Sequence, residues 1–338
     1  MRTVFAKAPL RLAMAGGGTD LLPYWSVYGG VVLNGTIDQY AYCKIEPHHE
    51  WLFSSVDLND SIAFTDLDKD YVSGSMKLLI NTYQYLTKDL DREPVKITTY
   101  VEAPPGSGLG SSSALVVALI SAIAEYYGIP LGEYDVADYA VDVERNICNL
   151  PGGKQDQFAA AFGGFNFIEF LPDGRTIVNP LRLNFKTQNM LELSTVLYYV
   201  GKPRKSERVI ETTSNNLMKN DELTLQATHR IKDACIEYKR SLLLGDVDKI
   251  CETMNTYWKN KIQTSKNVAS PELIDSYKFA LQNGAKAAKI SGAGGGGHMI
   301  FFTDFEKRHQ LITALKGRNI GRIVPFKFVK HGVDVWRQ

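Results

Sequence analysis

The stretch Val101–Gly128, VEAPPGSGLGSSSALVVALISAIAEYYG, restricts the possible folds more than any other in the chain. No charged residue stands between Ala103 and Ala124, yet only Ala114 to Ala124 is apolar. So short a run cannot cross a bilayer, so it must be a helix buried on nearly every face inside a protein core. Gly128 and Pro130 close it. On the other flank Val95, Ile97, Thr99 and Val101 alternate with Lys96, Thr98, Tyr100 and Glu102, the period-2 pattern of a strand. The sequence therefore predicts a strand, a loop rich in glycine and serine, and a buried helix over Ala114–Tyr127.

A glycine loop opening a helix is a ready anion site. The first-turn amides have no intrahelical partners, the dipole adds partial positive charge, and glycine lets a phosphate approach the backbone. Ser111, Ser112 and Ser113 add hydroxyls that suit a helix cap, a phosphate or a magnesium ion. Two familiar phosphate loops are excluded. A Walker A loop needs Gly-Lys-Ser/Thr, and no lysine stands here; a dinucleotide fingerprint needs a third glycine where Ser111 follows Gly108. Taken alone, the segment is equally well a structural turn before a core helix.

At 338 residues the chain is long for one core, so two lobes are expected, dividing near residue 180 into 1–180 and 181–338. Strands and helices mix without regular βαβ alternation, which indicates an α+β class. Strands are expected at STVLYYVG and RIVPFKFV, and helices at Glu222–Leu244, Asp246–Ile262 and Glu306–Lys316. Lys+Arg 38 against Asp+Glu 37 leaves a formal charge of +1, which gives no sign of a nucleic-acid partner. Cys43, Cys148, Cys235 and Cys251 form no Cys-x-x-Cys pair and read as reduced thilols of a cytoplasmic protein, buried or half-buried. No signal peptide or membrane segment is expected.

Two further glycine clusters place the loop in context: KAPLRLAMAGGGTDLLPYW near the N-terminus and AAKISGAGGGGHMIFF near the C-terminus. With PPGSGLGSSSA between them, they resemble in order and spacing the three motifs of the GHMP kinases, such as galactokinase and mevalonate kinase, and the resemblance spans essentially the whole chain. Within that family, AGGGTDLLPYWSVYGGVVLNGTIDQYAY and LPGGKQDQFAAAFGGFNFIEF resemble the kinases of D-glycero-D-manno-heptose 7-phosphate. Galactokinases carry Glu-His where this chain has Gly17 and Gly18, a departure that argues against galactose and is expected to make room for a larger sugar. Fucose-type kinases share part of the pattern.

The resemblance implies a two-lobed fold with a ferredoxin-like C-terminal lobe and an active site in the cleft between lobes. It implies ATP and Mg²⁺ as cofactors and a small sugar phosphate as partner. By position, Gly106, Gly108, Leu109, Gly110, Ser111, Ser112 and Ser113 would hold the ATP phosphates, with Ser112 and Glu144 on the metal. Asp156 matches the catalytic aspartate and Arg11 the arginine beside it; read alone, they are as well a helix N-terminal charge and a strand surface residue. Gly17, Gly18, Thr19, Asp20, Gly153, Gly294 and Gly295 would line the sugar site and the loop that closes it. A remote phosphate on the sugar calls for cations, for which Lys154 and the group Lys202, Arg204 and Lys205 are candidates, the latter equally a solvated basic turn. His298 reads as a strand residue, and His48 and His49 as surface residues without metal partners. The activity implied is phosphorylation of the anomeric hydroxyl to a 1,7-bisphosphate. The alternatives are another sugar 1-kinase, such as a fucokinase, and a kinase-like sugar sensor.

Overall fold

The first half of the chain runs β1 (Val4–Ala15), α1 (Leu22–Tyr28), β2 (Gly30–Pro47), β3 (Trp51–Ser55), β4 (Asp60–Phe64), α2 (Lys77–Thr87), β5 (Val95–Val101), α3 (Ser111–Tyr127) and α4 (Glu133–Asp142). A π-helical turn (Val143–Ile147) then leads to α5 (Gln155–Phe162), β6 (Phe165–Phe170) and β7 (Thr176–Pro180). The second half adds α6 (Phe185–Ser194), β8 (Thr195–Tyr199), α7 (Ser206–Met218), α8 (Glu222–Leu244) and α9 (Val247–Lys261). It ends with α10 (Pro271–Gln282), β9 (Ala285–Ile290), β10 (His298–Thr303), α11 (Phe305–Gly317), β11 (Arg322–Val324) and β12 (Asp334–Arg337). These elements come from a computed structural model that describes residues 3–67, 74, 76–201 and 206–338.

Two sheets organise the molecule. The larger has the order β12-β1-β2-β5-β3-β4, with β6 on β2 and β7 on β6; only β3 and β5 pair in parallel. With β1 along one edge, β2 is long enough to serve two more partners along the other, pairing β6 over Gly30–Gly35 and β5 over Ala41–Pro47. The second sheet, β11-β8-β10-β9, is antiparallel throughout. Apart from the β3–β5 pair, whose connection runs through β4 and α2, helices gather on these sheets without parallel crossovers, the α+β arrangement expected. No helix among the described residues is long and apolar enough to cross a membrane.

α3 is the centre of the larger core. Every side chain from Ser113 to Ala124 except Leu115 is buried, and the helix packs on β1, β2, α2 and α5. Each large apolar side chain buried there contributes about 1.5–3 kcal/mol. The helix begins at Ser111, three residues earlier than the apolar pattern alone indicates. The serines form its first turn, with Gly110 in the left-handed region as its cap.

The segment RIVPFKFV is a strand only over Arg322–Val324, because Pro325 has no amide to give a ladder. The chain then runs along β2, where Val329 N donates to Thr36 O at 3.0 Å, and ends as β12 on the edge of the larger sheet beside β1. The last residues therefore finish the sheet that the first residues began. All four cysteines are buried and unpaired, as expected.

Candidate active site

β1 carries Arg11 into the interior, where the side chain is 4% exposed. Its Nε and Nη2 donate to the two carboxylate oxygens of Asp156 at 2.8 and 2.7 Å, a bidentate fork. Nη1 donates to the Gly108 carbonyl at 2.6 Å, and the Arg11 amide to the Leu109 carbonyl at 3.0 Å. Asp156 stands in the first turn of α5, half-buried, so the strand, the glycine loop and this helix are tied at one guanidinium. Leu109 serves this junction through its backbone; its side chain lies in the core.

The third glycine motif closes on the second. The Gly108 carbonyl also accepts from Ser291 Oγ at 2.9 Å, while the Ser107 carbonyl accepts from His298 N at 3.0 Å and lies 2.8 Å from His298 Nδ1. His298 is the strand residue expected, at the start of β10, and burial pushes its imidazole down to about 4. A neutral ring that donates from Nδ1 satisfies this geometry. Gly108 lies at φ +75, and a Cβ there would meet the Ser291 carbonyl at 2.6 Å. Its glycine is required by this packing of two backbones, as well as by any phosphate.

Beside the loop, Ser112 Oγ donates to Glu144 Oε1 at 3.0 Å and Ser113 Oγ to Oε2 at 2.6 Å, while Gln157 Nε2 donates to Oε2. Glu144 sits in the π-helical turn and is 1% exposed. The sequence pointed to Ser112 and Glu144; Gln157 was missed because nothing in its spacing signals the contact. Two hard oxygens 3.0 Å apart fit a magnesium ion, whose ligands at 2.0–2.1 Å leave about that distance between neighbours.

These groups line one cavity of about 730 Å³ between the two halves of the chain. Gly106, Gly110, Ser112 and Asp156 line it, as do Thr213 of α7, Lys261, Gly292 and Ala293. Asp20 also lines it; its Oδ1 accepts from Gly18 N at 3.0 Å, and Oδ2 accepts from Gln155 Nε2 at 3.1 Å. Gly153 packs on this carboxylate so closely that a Cβ would overlap it, at 1.8 Å from Oδ2.

Several expectations change here. Gly17 and Gly18 do not simply leave space: a Cβ on Gly17 would lie 3.2 Å from Tyr257 Oη, and one on Gly18 3.1 Å from Lys261 Nζ. Side chains of α9 occupy the room. Thr19 faces away from the cavity; its hydroxyl donates to Val31 O at 2.7 Å and accepts from Val31 N at 2.9 Å. Thr19→Val is accordingly expected to lower stability by about 1–3 kcal/mol, read as a lower Tm, with both KM values unchanged; a raised sugar KM would return Thr19 to the site.

Lys154 also points elsewhere. Its ammonium lies 4.1 Å from the centre of the Trp25 ring, and burial pushes it down against the pull of Asp138. Gly294 and Gly295 pack on Val268, with Gly295 N donating to its carbonyl at 2.8 Å, and the cavity is reached by Gly292 and Ala293 instead. Lys202, Arg204 and Lys205 lie outside the described residues. His48, His49 and Glu50 do bring three ligand-type atoms within 4.8 Å at the β2–β3 turn, contrary to the reading of isolated histidines. There His48 Nδ1 lies 2.9 Å from the Glu50 carbonyl and His49 is exposed.

Three comparisons bear on this geometry. Residues 71–164 match the family described as GHMP kinases N terminal domain, and residues 238–320 match GHMP kinases C terminal. The chain is 40% identical to D-glycero-alpha-D-manno-heptose 7-phosphate kinase of Campylobacter jejuni, over 100% of both chains. It is 27% identical to a galactokinase of Thermosipho africanus over 76% of this chain and 72% of the other. Among solved structures, a D-glycero-D-manno-heptose 1-phosphate kinase from Bacteriodes thetaiotaomicron superposes with a TM-score of 0.81 at 34% identity, covering 98% of each chain. A sugar kinase structure from Campylobacter jejuni gives 0.80 at 38% identity, covering 100% of this chain and 99% of the other.

Proposed function

The chain belongs to the GHMP kinases and is a sugar-phosphate kinase using ATP, and we propose that its acceptor is the anomeric hydroxyl of D-glycero-D-manno-heptose 7-phosphate. The product would be the 1,7-bisphosphate. The observation that carries the reading is the Arg11–Asp156 fork, set in the cavity beside the glycine loop and the Ser112–Glu144 pair. A binding-only sugar sensor would have no use for this combination.

Phosphoryl transfer needs mainly alignment and neutralisation of charge from the protein. The amides at the N-terminus of α3 and the loop Gly106–Gly110 hold the phosphates of ATP. Asp156 orients the attacking hydroxyl and accepts its proton; an anomeric hydroxyl is acidic enough for a carboxylate to suffice. Arg11 fixes both oxygens of that carboxylate and offsets charge on the transferring group. Ser112 and Glu144 would hold Mg²⁺, which supplies charge neutralisation at the phosphates when bound. Asp20 orients the sugar through its hydroxyls.

Glu144→Gln is expected to raise the Mg²⁺ concentration needed for half-maximal rate by about tenfold or more, with sugar KM little changed. An unaltered Mg²⁺ requirement would remove Glu144 as a ligand. The acceptor itself is tested by ADP release across heptose 7-phosphate, heptose 1-phosphate, free heptose, fucose, galactose and mevalonate. Preference for heptose 7-phosphate supports the reading. Turnover of the 1-phosphate instead would place the reacting hydroxyl at another carbon, and preference for fucose would make the chain a different sugar 1-kinase.

A further inference from the structure

α9 delivers to the cavity a cation that no glycine motif announces. Lys261 is 5% exposed, lines the cavity, and donates from Nζ to the Gly17 carbonyl at 3.0 Å. Among the described residues this is the one hydrogen bond its ammonium makes. An ammonium carries three donors, so two remain unspent in a place withdrawn from water, where an unmatched donor is costly. Asp20 lines the same cavity, with lone pairs left over after its bonds from Gly18 N and from Gln155 N and Nε2. Gln155, 8% exposed and also lining the cavity, has a buried Oε1 with no hydrogen-bond partner among the described residues.

We infer that Lys261 and Asp20 together read a neighbouring pair of sugar hydroxyls, and that position 18 is glycine in order to admit the lysine. The inference rests on the reading of the acceptor as a sugar phosphate and deepens it. The charges of Asp20 and Lys261 balance, so the pair suits a neutral ligand that both donates and accepts. Two adjacent hydroxyls do both, one donating to the carboxylate and the other accepting from the ammonium. A dianionic phosphate at the same place would meet the repulsion of Asp20. The steric link is direct, since a Cβ on Gly18 would lie 3.1 Å from Nζ. A side chain at position 18 would therefore press on the ammonium and shift it, in addition to the strain that φ +111 imposes on any residue but glycine there.

The test is steady-state ADP release by Lys261→Met, with ATP and the sugar phosphate that the wild type turns over best. Sugar KM is expected to rise about tenfold to a hundredfold, with ATP KM within about twofold. Analogues of the same sugar phosphate lacking one ring hydroxyl separate recognition from packing. The analogue missing the hydroxyl that Lys261 reads should lose its penalty in Lys261→Met, while the other analogues keep theirs. If Lys261→Met does not fold, Gly18→Ala is used in its place; its Cβ crowds Nζ while φ +111 strains the loop that holds Asp20, so there the pattern across the analogues, and not sugar KM alone, is decisive. A wild type that turns over no sugar phosphate overturns the parent reading and this inference with it. A wild type that turns one over, while the folded variant keeps its sugar KM or loses equally on every analogue, overturns this inference alone.

Discussion

Asp156→Asn is expected to lower kcat by roughly 10²–10⁴-fold, the usual worth of a positioned general base, with ATP affinity nearly unchanged. The substitution keeps the shape of the side chain. It removes the proton acceptor and the negative charge, and it leaves Arg11 facing an amide that accepts at one atom where the carboxylate accepted at two. ATP should bind as before, because the phosphate loop is held by Ser291, His298 and the core side chain of Leu109 as well as by Arg11. Single-turnover rates on folded protein, with ATP binding measured by equilibrium titration, decide the matter. Near-normal turnover would remove Asp156 from the chemistry. A large loss of ATP affinity would make the Arg11–Asp156 pair a scaffold of the loop.

Gly110→Val is expected to cost about 10²-fold or more in kcat and to weaken ATP binding, and the structure gives the reason two parts. Gly110 caps α3 at φ +76, a conformation that costs a β-branched residue roughly 1–2 kcal/mol. Its Cβ would also stand 3.2 to 3.3 Å from the carboxylate of Asp156. A valine there presses on the carboxylate proposed as the base as well as on the place proposed for the phosphate, and a displacement of about 1 Å is enough for such a loss. By its position in the sequence Gly110 would hold the ATP phosphates, a role that gives no reason for a direct effect on Asp156. The discriminating measurement is kcat at saturating ATP: if it recovers fully, the contact with Asp156 carries no weight and Gly110 serves phosphate binding only.

Much of the site is legible because its residues belong to short segments with strong local signatures. Gly106 to Ser113 identify themselves as a loop opening a helix, and Arg11 and Asp20 stand in the same stretch as the first glycine cluster. Lys154 shows where such reading fails. It lies two residues from Asp156, but at the start of α5 those two positions point in different directions, and the lysine finds Trp25. Thr19 fails for a similar reason: next to Asp20 in sequence, it turns inward to the backbone of Val31. Lys261, by contrast, sits in an ordinary amphipathic helix among Lys259 and Asn260, with no glycine, spacing or neighbour to mark it. Gln155 and Gln157 are as silent.

By itself the sequence determined the buried helix, the glycine loop before it, the serine hydroxyls that suit an anion or a metal, and the mixed α+β character. Those properties follow from hydrophobic periodicity, from the backbone freedom of glycine and from the donors and acceptors each side chain carries, all of which are local. Only the tertiary structure decided that the third motif locks onto the second through the Gly108 and Ser107 carbonyls, that the last strand returns to the first sheet, and that a tyrosine and a lysine from α9 fill the space beside Gly17 and Gly18. Each of these joins residues more than 180 positions apart, and contacts of that kind are set by how packed layers meet rather than by any pattern along the chain.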